Sequence, residues 1–153
     1  MARKAFIVAV GILFAGGIAN AFACDCNDPS RPLEALIKAD AVFAGIVESI
    51  EEPVFHLPGV NSILSLRKVT FRVSENWKGA NAAKLAVYTY SPWAGCDAGF
   101  VKNGNYVVYA HQNQGAGVLA TSLFTSMCTR TREYSKAADD LRELGAGQKP
   151  ATK

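Results

Sequence analysis

Four cysteines are the residues of this chain best suited to chemistry: Cys24 and Cys26 lie two apart near the start, and Cys96 and Cys128 stand alone far downstream. Such thiols can hold a metal or close structural bridges. A zinc site built from four cysteines uses short paired spacings, typically Cys-x-x-Cys twice, and this chain has one close pair and two isolated residues. Disulfides are therefore expected. Four cysteines admit three pairings, and spacing alone does not choose among them. A bridge between Cys24 and Cys26 would be strained by their closeness, so each is expected to pair with one downstream cysteine.

The other reactive side chains do not assemble into a recognisable catalytic set. His56 lies beside Pro58-Gly59 and His111 at the end of a strand-like run, and neither belongs to a His-x-x-x-His pair or a nucleophile motif. No glycine-rich phosphate loop follows a strand. The adjacent carboxylates Glu51-Glu52 and Asp139-Asp140 read as solvated surface. Trp77 reads as a packing residue, whereas Trp93, between Pro92 and Ala94 and close to Cys96, is a contact candidate. The chain is not expected to be an enzyme or to carry a cofactor.

Residues 1–23 read as a secretory leader: Arg3 and Lys4, an apolar run from 5 to 15, and Ala21-Phe22-Ala23 as the cleavage segment. The apolar run is too short to span a membrane and is followed by Gly16-Gly17. No transmembrane segment is expected after cleavage. Lipoprotein processing at Cys24 is the competing route. It prefers a large aliphatic residue three before the cysteine and a small one two before, where Ala21 and Phe22 stand, so ordinary cleavage is favoured. The product is exported, secreted or periplasmic, where disulfides persist. Removing 23 of 153 residues leaves 130, one domain's worth. Taking Arg3 and Lys4 from the 16 basic residues leaves 14 against 13 acidic, a net charge of +1, so neither nucleic acid nor an anionic membrane is implied as a partner.

These cysteines must be positioned by a small β domain. Pro32 suits the first turn of a helix whose stripe is Leu33, Leu36 and Ile37, ended by Asp40. Strands are expected at 41–50, with a bulge or close approach at Gly45, and at 66–74, where Arg67, Val69, Phe71 and Val73 face a core. Asn76-Trp77-Lys78-Gly79 reads as a turn with Gly79 at positive φ. Further strands are expected at 84–90, 106–111 and 118–124, with a tight turn at Asn103-Gly104. The segment 51–62 reads as a loop or loosely paired hairpin tip. Ser135 is placed as the cap of a closing helix with stripe Tyr134, Ala137, Ala138, Leu141 and Leu144, and 146–153 as a frayed tail. The fold class is mainly β: a five-stranded OB-like Greek-key barrel with flanking N-terminal and C-terminal helices, over residues 24–145, with a sandwich as the nearest alternative.

Several of these residues together resemble a known family. A mature start of Cys-x-Cys, then Asp40-Ala41-Val42-Phe43-Ala44-Gly45, Phe71-Arg72-Val73 with Trp77-Lys78-Gly79, Tyr88-Thr89 ahead of Cys96, and Thr121-Ser122 ahead of Cys128 is similar to the tissue inhibitors of metalloproteinases. More narrowly, it resembles a bacterial relative of their N-terminal, netrin-like domain. The resemblance runs from Cys24 to about Leu144. It implies Cys24–Cys96 and Cys26–Cys128 disulfides and an OB-type barrel. It also implies a zinc metalloprotease as partner, whose catalytic zinc is chelated by the Cys24 amine and carbonyl. Asp25, Cys26, Asn27, Asp28 and Pro29 would complete a contact wedge with the loop Ser91, Pro92, Trp93, Ala94 and Gly95. The chain departs from the family pattern at Ile37, about where a cysteine of a third disulfide would stand, and in lacking the second, cysteine-rich domain. It departs again at Asp25, where Thr or Ser normally enters the protease's specificity pocket. The alternative is a netrin-like interaction module without inhibitory activity, lipid-anchored at Cys24 in one variant.

Overall fold

The computed structural model describes residues 24, 26, 31–56, 63–114, 117 and 119–151. The expected leader over 1–23, Asp25, Asn27, Asp28, Pro29 and residues 57–62 lie outside the described residues.

Helix α1 (Pro32–Lys38) begins at its proline, whose fixed φ suits the first turn, and the Arg31 amide donates to Glu34 Oε2 at 3.4 Å. Its buried residues are Pro32 and Ala35, with Leu36 half-buried against the core, while Leu33 is 48% and Ile37 75% exposed. The expected stripe is thus rotated. The small Ala35 faces inward and lets the short helix approach the sheet closely.

Strand β1 (Ala41–Glu51) pairs with both β3 (Ile63–Lys78) and β5 (Asn105–Gln112). It and β5 are apolar on both faces because each is covered twice. Phe43 and Val47 of β1, with Tyr106, Val108 and Ala110 of β5, enter the main core beside Val69, Phe71 and Val87. Val42, Val107 and Tyr109 point the other way, into a second cluster with Ala35, Ala39 and Ala137. Phe71 meets Phe43 and Phe100 edge to face at 5.4 and 5.1 Å, and Phe100 meets Tyr106 at 4.8 Å.

The β1–β3 register shifts at three places, one of them between Ala44 and Gly45. A Cβ on Gly45 would lie 2.8 Å from the Arg72 carbonyl oxygen, so the expected close approach is present. Gly45→Ala should therefore push the two strands apart and cost about 1–3 kcal/mol in urea unfolding.

The hairpin reading of 51–62 is met by β2 (Val54–His56), which pairs with Ile63, Leu64 and Ser65 at the start of β3. At its other end β3 does not turn at Asn76. It continues to Lys78, opposite Val42, and the chain turns at Gly79, φ +93. Strand β4 (Lys84–Tyr90) follows as expected. The strand expected over 118–124 shrinks to β6 (Leu123–Phe124), since Thr121 has φ 65 and a turn joins Ser122 N to Leu119 O. A further short strand, β7 (Arg132–Glu133), lies against β5.

Pairing runs β1–β3–β4–β6–β5 and returns from β5 to β1, with β4 and β6 parallel and the rest antiparallel. The fold is mainly β, with a seven-stranded sheet and two helices. Ser135 is not a cap: Tyr134–Lys136 forms a single 3-10 turn, and α2 (Ala138–Leu144) starts after Ala137. Part of the expected frayed tail is held, because Asn76 and Gln148 exchange both backbone hydrogen bonds at 2.9 and 2.8 Å. The Trp77 indole N–H donates to Gly145 O at 2.8 Å, which fixes the end of α2.

Candidate functional site

The cysteines are all oxidised. Cys24 is bonded to Cys96 and Cys26 to Cys128, with Cα–Cα distances of 5.5 and 5.0 Å and sequence separations of 72 and 102. The zinc alternative for these thiols is thereby excluded, and the pairing is the one the resemblance implies. Two disulfides are compatible with an exported protein.

Each downstream cysteine is itself anchored. Cys96 is followed by Asp97, whose carboxylate accepts from Arg67 of β3 at 2.9 Å, and that guanidinium also donates to Phe100 O at 3.1 Å. The Ala98 amide donates to Thr89 Oγ1 of β4 at 3.1 Å. Residues 97–100 are therefore tied to two strands, and Cys96 cannot drift from the sheet. Cys128 is reached from β6: Thr125 N donates to Tyr88 O at 2.9 Å and Met127 N to Cys96 O at 3.3 Å. That last bond ties the residue before Cys128 to Cys96, so the two disulfides lie on neighbouring segments of the domain.

Of the expected contact loop, Ser91 precedes a 3-10 turn, Pro92–Ala94, which Gly95 closes in the left-handed region at φ 74. The turn lifts Trp93 clear of the surface, leaving it 96% exposed. Met127, 51% exposed, adds a second apolar side chain next to Cys128; sequence reading misses it because nothing local distinguishes it from a core methionine. An indole so exposed contributes almost nothing to folding. Trp93→Ala is expected to shift stability by less than about 0.5 kcal/mol while weakening any partner that docks on this loop by roughly tenfold or more.

The second polar assembly lies behind Cys128 and is not foreshadowed by the sequence reading. Asp140 is fully buried, at 0% exposure, although with Asp139 it reads as solvated surface. Its Oδ1 accepts from Arg130 Nε at 2.6 Å and from the Tyr109 hydroxyl at 2.8 Å, and Oδ2 accepts from Arg130 Nη2 at 3.3 Å. Arg132 Nε lies 3.7 Å away. Burial, then the bond to Asp140 and its charge, push the Tyr109 phenol well above its ordinary value. Beside it Thr125 Oγ1 lies 2.8 Å from Thr129 Oγ1 and 2.7 Å from Thr131 Oγ1, and both Thr125 and Thr131 donate to Tyr109 O. These bonds fix the loop that carries Cys128 to β5. The alternation Arg130-x-Arg132 was the available signal, but no local rule connects it to a carboxylate on a later helix.

His56 and His111 are not brought together with other donors. Among the described residues no group of three or more His, Cys, Asp or Glu side chains is arranged to hold a metal ion, and no helix is long and apolar enough to cross a membrane. Compared with protein-family models and with curated protein sequences, the chain matches none.

Proposed function

We propose that this domain is an exported inhibitor of zinc metalloendopeptidases, similar to the tissue inhibitors of metalloproteinases, and that it acts through the α-amine and carbonyl of Cys24 after cleavage behind Ala23. One observation carries the reading: two disulfides, to Cys96 and Cys128, hold the Cys24-x-Cys26 segment against neighbouring anchored segments, one of which also presents Trp93. A held amine loses little freedom on binding, so more of its interaction with the metal remains as affinity. Zinc accepts nitrogen and oxygen donors, and an α-amine with an ordinary value of about 8 is partly neutral at neutral pH. The OB-like Greek-key barrel belongs to the same reading. Its support is the circuit of pairings that leaves β1 through β3 and returns through β5.

The chelation would be performed on the target's metal, and the domain itself is not an enzyme. Asp25 shapes the choice of target. Burying its carboxylate in an apolar pocket costs several kcal/mol, so the fitting protease has a basic or wet pocket there. The same residue favours one second reading, a netrin-like interaction module whose disulfides only secure the N-terminus. The experiment is competition. Against a panel of zinc endopeptidases, inhibition by the processed domain should be mutually exclusive with a small hydroxamate that occupies the catalytic zinc. Additive inhibition by the two, or none by the domain, would leave the interaction-module reading in place.

A further inference from the structure

Two clefts of about 400 and 170 Å³ open over β4, β5 and β6, and they share Tyr90, His111 and Phe124, so they form one groove. Among the described residues no Asp, Glu, Lys or Arg lines either cleft, in a chain whose residues are 19% charged. The Phe124 ring is fixed by stacking on Tyr88 at 5.6 Å. The side chains of Tyr90, His111 and Gln114 line the groove and engage no hydrogen bond, ion pair or ring contact among the described residues. Neighbouring polar groups are already used: the Gln112 amide donates to Thr121 O and the Asn113 amide to Leu119 O. The groove thus offers two aromatic rings and three hydrogen-bonding side chains that are uncommitted among the described residues.

The chemistry of the lining narrows the occupant. A nucleic acid or phosphorylated ligand needs cations, and no Lys or Arg lines the groove among the described residues. An extended peptide would add to a sheet edge, but β6 in this groove is already hydrogen-bonded to β4 on one side and to β5 on the other. A ring with apolar faces and hydroxyl edges suits both the aromatic and the amide components. We propose that this groove binds a short neutral oligosaccharide, with sugar rings against Tyr90 and Phe124 and hydroxyls bonded to the His111 imidazole, the Gln114 amide and the Tyr90 phenol. The proposal does not depend on the inhibitor reading.

The test is an amide chemical-shift titration of the oxidised domain with maltohexaose, cellohexaose and chitotetraose, each to about 5 mM, beside octathymidylate as the anionic control. At least one saccharide should shift resonances at Tyr90, His111, Gln114 and Phe124, and octathymidylate should not. Tyr90→Ala should weaken that binding about tenfold, as expected for loss of one stacking platform. A paired His111→Ala and Gln114→Ala variant, altered at two exposed positions, should weaken it with the thermal midpoint unchanged. Failure of all three saccharides to perturb the groove would overturn the proposal. So would unchanged affinity in the variants, or tighter binding of octathymidylate.

Discussion

Replacing Asp140 by alanine is expected to destabilise the domain by about 3–5 kcal/mol, measured as the change in urea unfolding free energy. The carboxylate is wholly buried and accepts from both Arg130 and the Tyr109 hydroxyl. Removing it leaves a guanidinium, itself 12% exposed, in a low-dielectric site without the anion that offset its desolvation. Asp140→Asn keeps the volume and an acceptor, and should cost less. Because these groups fix the loop that carries Cys128, the alanine variant should also speed reduction of Cys26–Cys128. The Tyr109 phenol adds a pH signature. Its proton is held more tightly folded than unfolded, so its contribution is fully present below the unfolded tyrosine value of about 10 and is lost as pH rises above it. Stability should fall through that alkaline range, and Tyr109→Phe should flatten the fall.

The second large effect is loss of a disulfide. Cys26 and Cys128 are 102 residues apart and Cys24 and Cys96 are 72 apart, so each bridge closes a long loop in the unfolded chain. In the chain-entropy view each is worth about 4 kcal/mol. The paired substitution Cys26→Ala with Cys128→Ala should therefore lower the urea midpoint as much as the most damaging core substitutions, and reduction of both bridges should unfold the domain cooperatively. The two effects should not add, because Met127 N and Cys96 O join the bridged segments at 3.3 Å. With Cys24–Cys96 kept and Cys26–Cys128 removed, the terminus stays attached at one point, and the proposed inhibition should weaken more than stability alone accounts for.

What is legible in the sequence follows from range. Strand β4 can be read over its full length because alternation is local, and the demands at Gly45 and Gly79 can be read because they too are local. The start of α2 is harder to place because a 3-10 turn at Tyr134–Lys136 takes residues that also fit a helical stripe. Asp140 escapes sequence reading because its partners, Tyr109 and Arg130, stand 31 and 10 residues away, and only the packing of α2 behind β5 brings them together. The rotation of α1 that exposes Ile37 has the same origin: a seven-residue helix carries too few positions to define its buried face from sequence. The pairing of the cysteines is left open by spacing and narrowed only by resemblance to a family.

The proposed inhibition requires the Cys24 amine as a ligand of the target protease's zinc. Its most direct measurement compares the domain beginning at Cys24 with one carrying a single alanine ahead of it, both oxidised and of equal thermal stability, against a zinc endopeptidase that the native form inhibits. The added residue should raise the inhibition constant by at least about a hundredfold, since it turns the amine into an amide whose delocalised lone pair does not bind the metal. Equal potency of the two forms would contradict it.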